Sequence, residues 1–233
     1  MGNKINSLSI VFPVYKDVNT VELMIQKSIL LVNKFNLDYE IIIVNDCCPN
    51  GSGKIAEAYA SQNKNIIVIN HDINHGYGKA LISAFNSSTK EWILQTDGDN
   101  QYDLNDFEDM MKIVHNYDCI ITFRYKKIYQ SYRIFISWFY NRLIQFLFKS
   151  KFRDISTGLR LIKRETLKNT RLISSSSFIG AEIAIRLMFK GYSVGEMGIT
   201  TYPRKFGSSS IITLKNVYYT IKDLLKVKKD IFK

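Results

Sequence analysis

Cysteine, proline and histidine are scarce in this chain of 233 residues, at three apiece. Two of the cysteines, Cys47 and Cys48, are adjacent, and no CxxC spacing occurs. That count builds no disulfide framework and points to a reducing compartment. His71, His75 and His115 lack the spacing of metal ligands, and no partnered histidine motif accompanies the cysteines. With 12 glycines and so few prolines, collagen-like, low-complexity and disordered classes are excluded. Neither the phosphate loop GxxxxGK[ST] nor the dinucleotide pattern GxGxxG is present. The start MGNKINSLSIVFPVY has no long apolar run behind its basic residues, so no cleavable signal is expected and the chain is read as cytosolic.

What is there suits one sizeable core. Hydrophobic residues make up 46% of the chain and charged ones 23%, and the length favours a single domain. Five short apolar runs read as buried strands: Leu8 to Phe12, Glu40 to Asn45, Asn65 to Asn70, Trp92 to Thr96 and Asp118 to Phe123. Helical patterns lie between them, at Thr20 to Phe35, Lys54 to Ser61, Gly78 to Phe85 and Asn105 to His115, the last with Asp103 or Asn105 as its expected cap. This alternation predicts an α/β domain with a mostly parallel sheet flanked by helices. In such sheets ligands bind at the carboxyl ends of the strands.

The net charge of +11 is local. Eight basic residues and no acidic one lie between Arg124 and Arg153, and six lysines against two aspartates lie between Lys215 and Lys233. The first of these stretches also holds ten aromatic residues. Arg133, Ser137, Asn141, Gln145 and Lys149 recur every four positions there, giving a helix with one polar stripe and a broad apolar surface. The run is too short and too interrupted to span a bilayer. Two readings stand: a buried helix with snorkelling basic ends, or an interfacial helix facing anionic lipid. The tail KNVYYTIKDLLKVKKDIFK repeats the pattern, with a solvated terminal helix as its plainer reading. Aromatic residues interleaved with aliphatics at helical spacing are unlike a nucleic-acid stacking platform, so no nucleic-acid partner is expected.

The residues that end the predicted strands are rich in carboxylates. QTDGDNQ places Asp97 and Asp99 around Gly98 after the strand WILQT, a pair suited to a hard divalent cation that also binds a diphosphate. Asp46 ends another strand before a Pro49, Asn50, Gly51 turn, where a helix cap or Asx turn is the plainer reading. FPVYKD places Pro13, Tyr15 and Asp17 in a third loop on the same edge, with Tyr15 available to pack on a base. NHGYGKA supplies Lys79 at a helix start, where a cation helps hold an anion.

In this order the motifs resemble the family-2 glycosyltransferases of the GT-A fold, and among them the dolichol-phosphate mannosyltransferase and polyprenyl-phosphate glycosyltransferase branch. The resemblance runs from about Leu8 to Ile211. FPVYKD is similar to the family's opening loop, with Asp17 for its glutamate, VNDCCPNGS resembles its VDDGSPDGT turn, and TDGDNQ its DADxQ motif, giving Asp97, Asp99 and Gln101. Arg124 and Arg133 match basic positions around phosphates. DISTGLRLIKRETL, with Asp154, Gly158 and Arg160, resembles the DxxSGFRLxxR element, Glu182 falls on a recurrent glutamate, and VGEMGITTYPRKFGSSS matches Glu196, Arg204, Gly207 and Ser209. Ser210 stands where a lysine is frequent, and Gly198 displaces a proline.

The resemblance implies a GT-A domain over residues 1–211, with residues 124–153 as a basic aromatic acceptor segment at the membrane interface, and a basic amphipathic helix over 212–233. It implies a nucleotide-sugar donor, GDP- or UDP-linked, met by Pro13, Tyr15, Asp17, Asp46, Lys79, Asp97, Gly98 and Gln101. It implies Mg²⁺ or Mn²⁺ on Asp97 and Asp99, with Asp99, Arg124 and Arg204 as catalytic residues. The expected acceptor is a polyprenyl phosphate, dolichyl or undecaprenyl, bound by Arg124, Arg133 and Ser209. An acceptor already anionic needs no general base, so a direct inverting displacement is expected. A sugar-hydroxyl acceptor is the alternative and would need a base, for which Glu182 is the candidate. Many relatives continue into membrane spans. The expected setting is therefore peripheral, on the cytoplasmic face of a membrane, with a membrane-spanning partner or a homo-oligomer as further partners.

Overall fold

The computed structural model describes residues 5–125, 131–204 and 213–233. Seven strands form one sheet: β1 (Ser7–Val14), β2 (Asp38–Asn45), β3 (Ile66–Asn70), β4 (Trp92–Gln95), β5 (Cys119–Arg124), β6 (Arg160–Lys163) and β7 (Val194–Ile199). Their spatial order is β3-β2-β1-β4-β6-β5-β7. All neighbours are parallel except β6, which runs antiparallel to both β4 and β5. The five strands expected from sequence are all present. β6 has only four residues and β7 reads VGEMGI, so neither offers the long apolar run that marked the others.

The helices are α1 (Val21–Lys34), α2 (Ser52–Ala60), α3 (Tyr77–Ser87), α4 (Asp106–Ile113), α5 (Ser131–Phe148), α6 (Arg164–Lys168), α7 (Ile179–Phe189) and α8 (Leu214–Ile231). Period-two alternation along the central strands divides the core between the two faces of the sheet. Ile41 and Ile43 of β2 face the layer of α1, α2 and α4, whereas Ile42 and Val44 face the layer of α3, α5, α7 and α8. In α1 the buried positions Val21, Met24, Ile25, Ser28, Leu31 and Val32 trace one stripe, and the polar residues take the other side. The expected side-chain cap of α4 is not formed. Asp103 instead accepts from the backbone N–H of Asn105, closing a turn one step before the helix.

The C-terminal helix α8 shares the core with α5 and α7 through buried Leu224 and Val227. Its Asp223 accepts from the backbone N–H groups of Ser175 and Ser176, and its Asp230 pairs with Arg186 of α7 at 2.8 Å. Among the described residues no helix is long and apolar enough to cross a membrane.

One cation lies inside the sheet layer. Arg160, at the start of β6, is 1% exposed and its guanidinium donates to the Ile155 carbonyl at 2.9 Å. Gly180 of α7 leaves it room, since a β-carbon there would stand 2.5 Å from Nη2. A buried guanidinium has no surface to retreat to. Gly180→Ala is therefore expected to lower unfolding stability by about 2 kcal/mol or more, read from the urea midpoint.

Candidate active site

The loops after β1, β2 and β4 meet where the sheet order reverses, because β1 lies between β2 and β4. An open α/β sheet forms its ligand crevice at such a point. Each loop holds one non-glycine residue in the left-handed region: Lys16 at φ 65°, Cys47 at φ 56° and Asn100 at φ 58°. Backbone held this way costs on the order of 1 kcal/mol per residue and persists only where the surroundings enforce it. Gly98 lets the β4 loop lie directly on the β1 end, since a β-carbon would stand 2.8 Å from the Pro13 carbonyl oxygen. Thr20, just before α1, ties this contact by donating to the Gly98 carbonyl at 2.7 Å.

Three of the expected carboxylates gather here. Asp97 Oδ1 accepts from the Tyr77 hydroxyl at 2.6 Å, and Gly158 packs so closely on this carboxylate that a β-carbon would overlap it. Asp99 Oδ1 accepts from the Gln101 N–H at 3.2 Å, and Oδ2 lies 3.9 Å from Arg204 Nε. Asp17 is held from two sides, by the Tyr15 N–H at 3.0 Å and by Arg204 Nη2 at 3.0 Å. Arg204 thus stands between two carboxylates. Gln101 also donates to the Tyr202 carbonyl at 3.3 Å, fixing the segment that delivers Arg204.

Crowded, half-buried acids hold their protons. Burial raises the pKa of Asp97, against the Tyr77 hydrogen bond and the Arg160 charge. Burial first, and the Asp97 charge second, push Asp99 up to about 7. Asp17 is raised by burial, with the Tyr15 N–H and Arg204 opposing. The Tyr77 hydroxyl is held well above its ordinary value, first by burial and then by the adjacent Asp97 charge, so it stays a donor.

The remaining expected residues are placed differently. Asp46 is 3% exposed and its carboxylate is used internally: Oδ1 lies 2.8 Å from His71 Nδ1 and accepts from the His75 N–H, while Oδ2 accepts from the Gly76 N–H. It clamps the turn into α3, and His71 extends the clamp to Ser83 Oγ at 2.9 Å. Tyr15 is 41% exposed at the rim with Lys16 Nζ over its ring, and Lys79 is exposed on the first turn of α3. Arg124, at the end of β5, is bound through Nε to Asp154 at 2.8 Å and through Nη2 to Ser156 at 3.1 Å. Arg133 is on the first turn of α5, and Ser209 lies outside the described residues.

Glu182 needs a correction. Its side chain is fully buried, both oxygens accept from the Ile173 N–H, Oε2 accepts from the Ser174 N–H, and Oε1 pairs with Arg186 at 2.7 Å. It braces the segment before α7 and offers no free oxygen to a bound hydroxyl. Sequence reasoning missed Tyr77, which lies inside the HGYGK stretch noted only for its lysine. It also assigned no site role to Arg160, whose charge reaches Asp97 from beneath.

The cluster suits a divalent cation. Its donors are carboxylate oxygens, and among the described residues Asp97 Oδ2 and Asp99 Oδ2 accept no hydrogen bond. Among the described residues no three side chains are placed to hold one metal ion together. A pair of carboxylates leaves the rest of a coordination shell to oxygens of a ligand.

A sheet that reverses at β1, with two carboxylates at the end of β4 and an antiparallel β6, is a fold of the GT-A type. The chain belongs to Glycosyl transferase family 2, whose model matches residues 9–171. It is 25% identical over 169 residues to the undecaprenyl-phosphate 4-deoxy-4-formamido-L-arabinose transferase of Proteus mirabilis (strain HI4320), a match covering 70% of this chain and 51% of the relative. The chain thus spans about half the length of that relative. Its fold is similar to glucosyl-3-phosphoglycerate synthase of Mycobacterium tuberculosis, solved with Mn²⁺, UDP-glucose and phosphoglyceric acid: TM-score 0.75, 14% identity, 96% of this chain and 80% of that one. Mannosyl-3-phosphoglycerate synthase of Rubrobacter xylanophilus gives a TM-score of 0.72 at 14% identity, over 97% of this chain and 73% of that one.

An acid whose pKa rises on folding keeps its proton longer in the folded state, so the folded form loses stability as pH climbs through that window. For Asp99 the window runs from its ordinary 3.8 to about 7. Asp99→Asn is expected to gain on the wild type steadily across this range and to hold a constant advantage above it. At pH 8 in EDTA that advantage should be about 2 kcal/mol or more, measured by chemical unfolding at several pH values.

Proposed function

We propose that this protein transfers a sugar, with inversion, from a nucleotide diphosphosugar to a polyprenyl phosphate at the cytoplasmic face of a membrane. The observation that carries the proposal is the gathering of Asp17, Asp97 and Asp99 around Arg204 at the crevice. The Proteus mirabilis relative supports the acceptor class, since its name states undecaprenyl phosphate. The Mycobacterium tuberculosis neighbour, solved with Mn²⁺ and UDP-glucose, supports a uridine-linked donor and a divalent ion.

Held by Asp97 and Asp99, Mg²⁺ or Mn²⁺ would supply positive charge to the diphosphate as it leaves. Tyr77 fixes the rotamer of Asp97, and Gly158 permits the close approach. Arg204 pairs with Asp17 and lies beside Asp99, placed to exchange a carboxylate for a diphosphate oxygen. Lys79, exposed at the start of α3, is a second cation for the same group, and Tyr15 at the rim offers a face to the base. Pro13, Gly98 and Gln101 shape the crevice through backbone contacts, and Asp46 acts by holding the His75–Gly76 turn. On the acceptor side Arg124, oriented by Asp154, and Arg133 provide the positive field, with Ser209 a further contact. A phosphate acceptor is already charged at neutral pH, so the chemistry is positioning of two anions without a base. The burial of Glu182 favours this acceptor over a hydroxyl.

The test is transfer of labelled sugar from a panel of GDP- and UDP-sugars to undecaprenyl or dolichyl phosphate in detergent, with and without EDTA. Label reaching the organic phase only with metal, in an inverted linkage, is the expected result. Metal-dependent donor hydrolysis with no transfer to either lipid would reject the acceptor, and a retained linkage would reject the mechanism. Glu182→Gln is expected to lower stability while keeping most turnover per folded molecule. Tyr77→Phe is expected to weaken Mn²⁺ binding about tenfold, measured by electron paramagnetic resonance with the nucleotide present.

A further inference from the structure

Helix α8 presents three distinct stripes. Leu224 and Val227 are buried, with Ile231 packed behind them. Leu214, Val217, Tyr218, Ile221 and Leu225 are all exposed, Leu214 at 93%, and they follow the spacing i, i+3, i+4, i+7, i+11. Lys215, Lys222, Lys226, Lys229 and Lys233 form a third exposed stripe at i, i+7, i+11, i+14, i+18. At 100° per residue the exposed apolar stripe lies between the buried face and the lysines. A water-facing helix has no use for a second apolar stripe.

Helix α5 makes the same point in another form. Its C-terminal half is anchored by Ile144 and Phe148, but Tyr132, Phe135, Ile136, Trp138 and Phe139 of its first half are exposed around the helix circumference. Arg142 stacks over the Trp138 ring at 5.9 Å, leaving its charge at the same surface. The two helices are joined at their C-terminal ends, where Phe232 stacks on Phe148 at 6.2 Å and meets Phe189 edge-on at 5.3 Å.

We infer that α5 and α8 together form one docking face for an anionic bilayer, with α8 lying in the headgroup plane, its apolar stripe down and its lysine stripe along the phosphates. The occupant follows from charge and shape. A row of exposed lysines beside an apolar stripe matches acyl chains below and anionic headgroups beside them. A second copy of this chain would bring the same positive charge against itself. The inference deepens the proposed lipid-phosphate reading and rests on it for the orientation of the crevice, but vesicle binding needs no sugar donor and fails or succeeds separately from transfer.

The test uses the full chain and vesicles of phosphatidylcholine with or without phosphatidylglycerol. Cosedimentation is expected with the anionic vesicles and weak binding with the neutral ones, with loss as salt rises. Trp138, at 52% exposure, should shift its emission to the blue on binding, while Trp92, at 6%, should not, so Trp138→Phe should abolish the shift. The triple variant Ile221→Ser, Leu225→Ser, Leu214→Ser is expected to lose about tenfold in vesicle affinity, and neutralising Lys222, Lys226 and Lys229 to glutamine about tenfold or more at low salt. Circular dichroism and unchanged donor hydrolysis in detergent would show the variants folded. Absence of binding to anionic vesicles, or binding indifferent to all of these changes, would overturn the inference. So would a dimer in solution that the serine variants convert to monomer.

Discussion

Three carboxylates forced to one end of two adjacent strands are the constraint around which the rest is arranged. Asp17, Asp97 and Asp99 repel one another in a partly dehydrated crevice, and every neighbouring feature reduces that repulsion. Arg204 comes from a distant part of the chain to stand between Asp17 and Asp99. Arg160 is buried beneath Asp97, itself costly to dehydrate, and each charge makes the other tolerable. Tyr77 gives Asp97 a neutral donor. The left-handed residues Lys16 and Asn100 lie in the two loops that carry these acids. The resulting site stores electrostatic tension that a bound cation would relieve, an arrangement suited to a ligand that arrives with its own positive charge.

Much of this was legible from residue order. Strands such as EIIIV and WILQT are apolar on both faces because helices cover both faces, so their burial could be read without coordinates. The carboxylates at their ends followed from the rule that ligands gather at carboxyl edges. What escaped was whatever depended on side chains meeting across long sequence distance. β6 is four residues long and gains its place by pairing antiparallel with β4 and β5. Tyr77 reads as an ordinary aromatic until its hydroxyl is found 2.6 Å from Asp97. Asp46 and Glu182 have the residue type of site acids, yet their oxygens are filled by backbone N–H groups and by cations. Sequence position tells where a carboxylate can go, and only packing tells which partners have already taken it.

The two surfaces of the molecule differ for a related reason. On the side of α1, α2 and α4 most apolar residues are absorbed by the core, with Leu23 and Leu30 of α1 left exposed singly. On the other side α5 and α8 carry more apolar surface than the sheet can cover, and the surplus lies outward among basic residues. Under the bilayer docking proposed above, stability of the chain and its surroundings are set by different residues, with Leu224 and Val227 serving the first and Leu214, Ile221 and Leu225 the second.

The antiparallel strand has one more effect. Ile121 of β5 pairs with Arg160 of β6, so the chain leaves the sheet after Arg124 and returns beside the point of departure. Everything between, including α5, is a long excursion whose two ends are pinned side by side. The entropy of closing such a loop grows only slowly with its length. Its α5 portion can be lengthened, shortened or exchanged while the crevice on β1, β2 and β4 is kept, provided that the returning end leaves Gly158 against Asp97. A single crevice could in this way be fitted with new excursions over evolutionary time, and the same seam marks where chimeras between relatives should be cut.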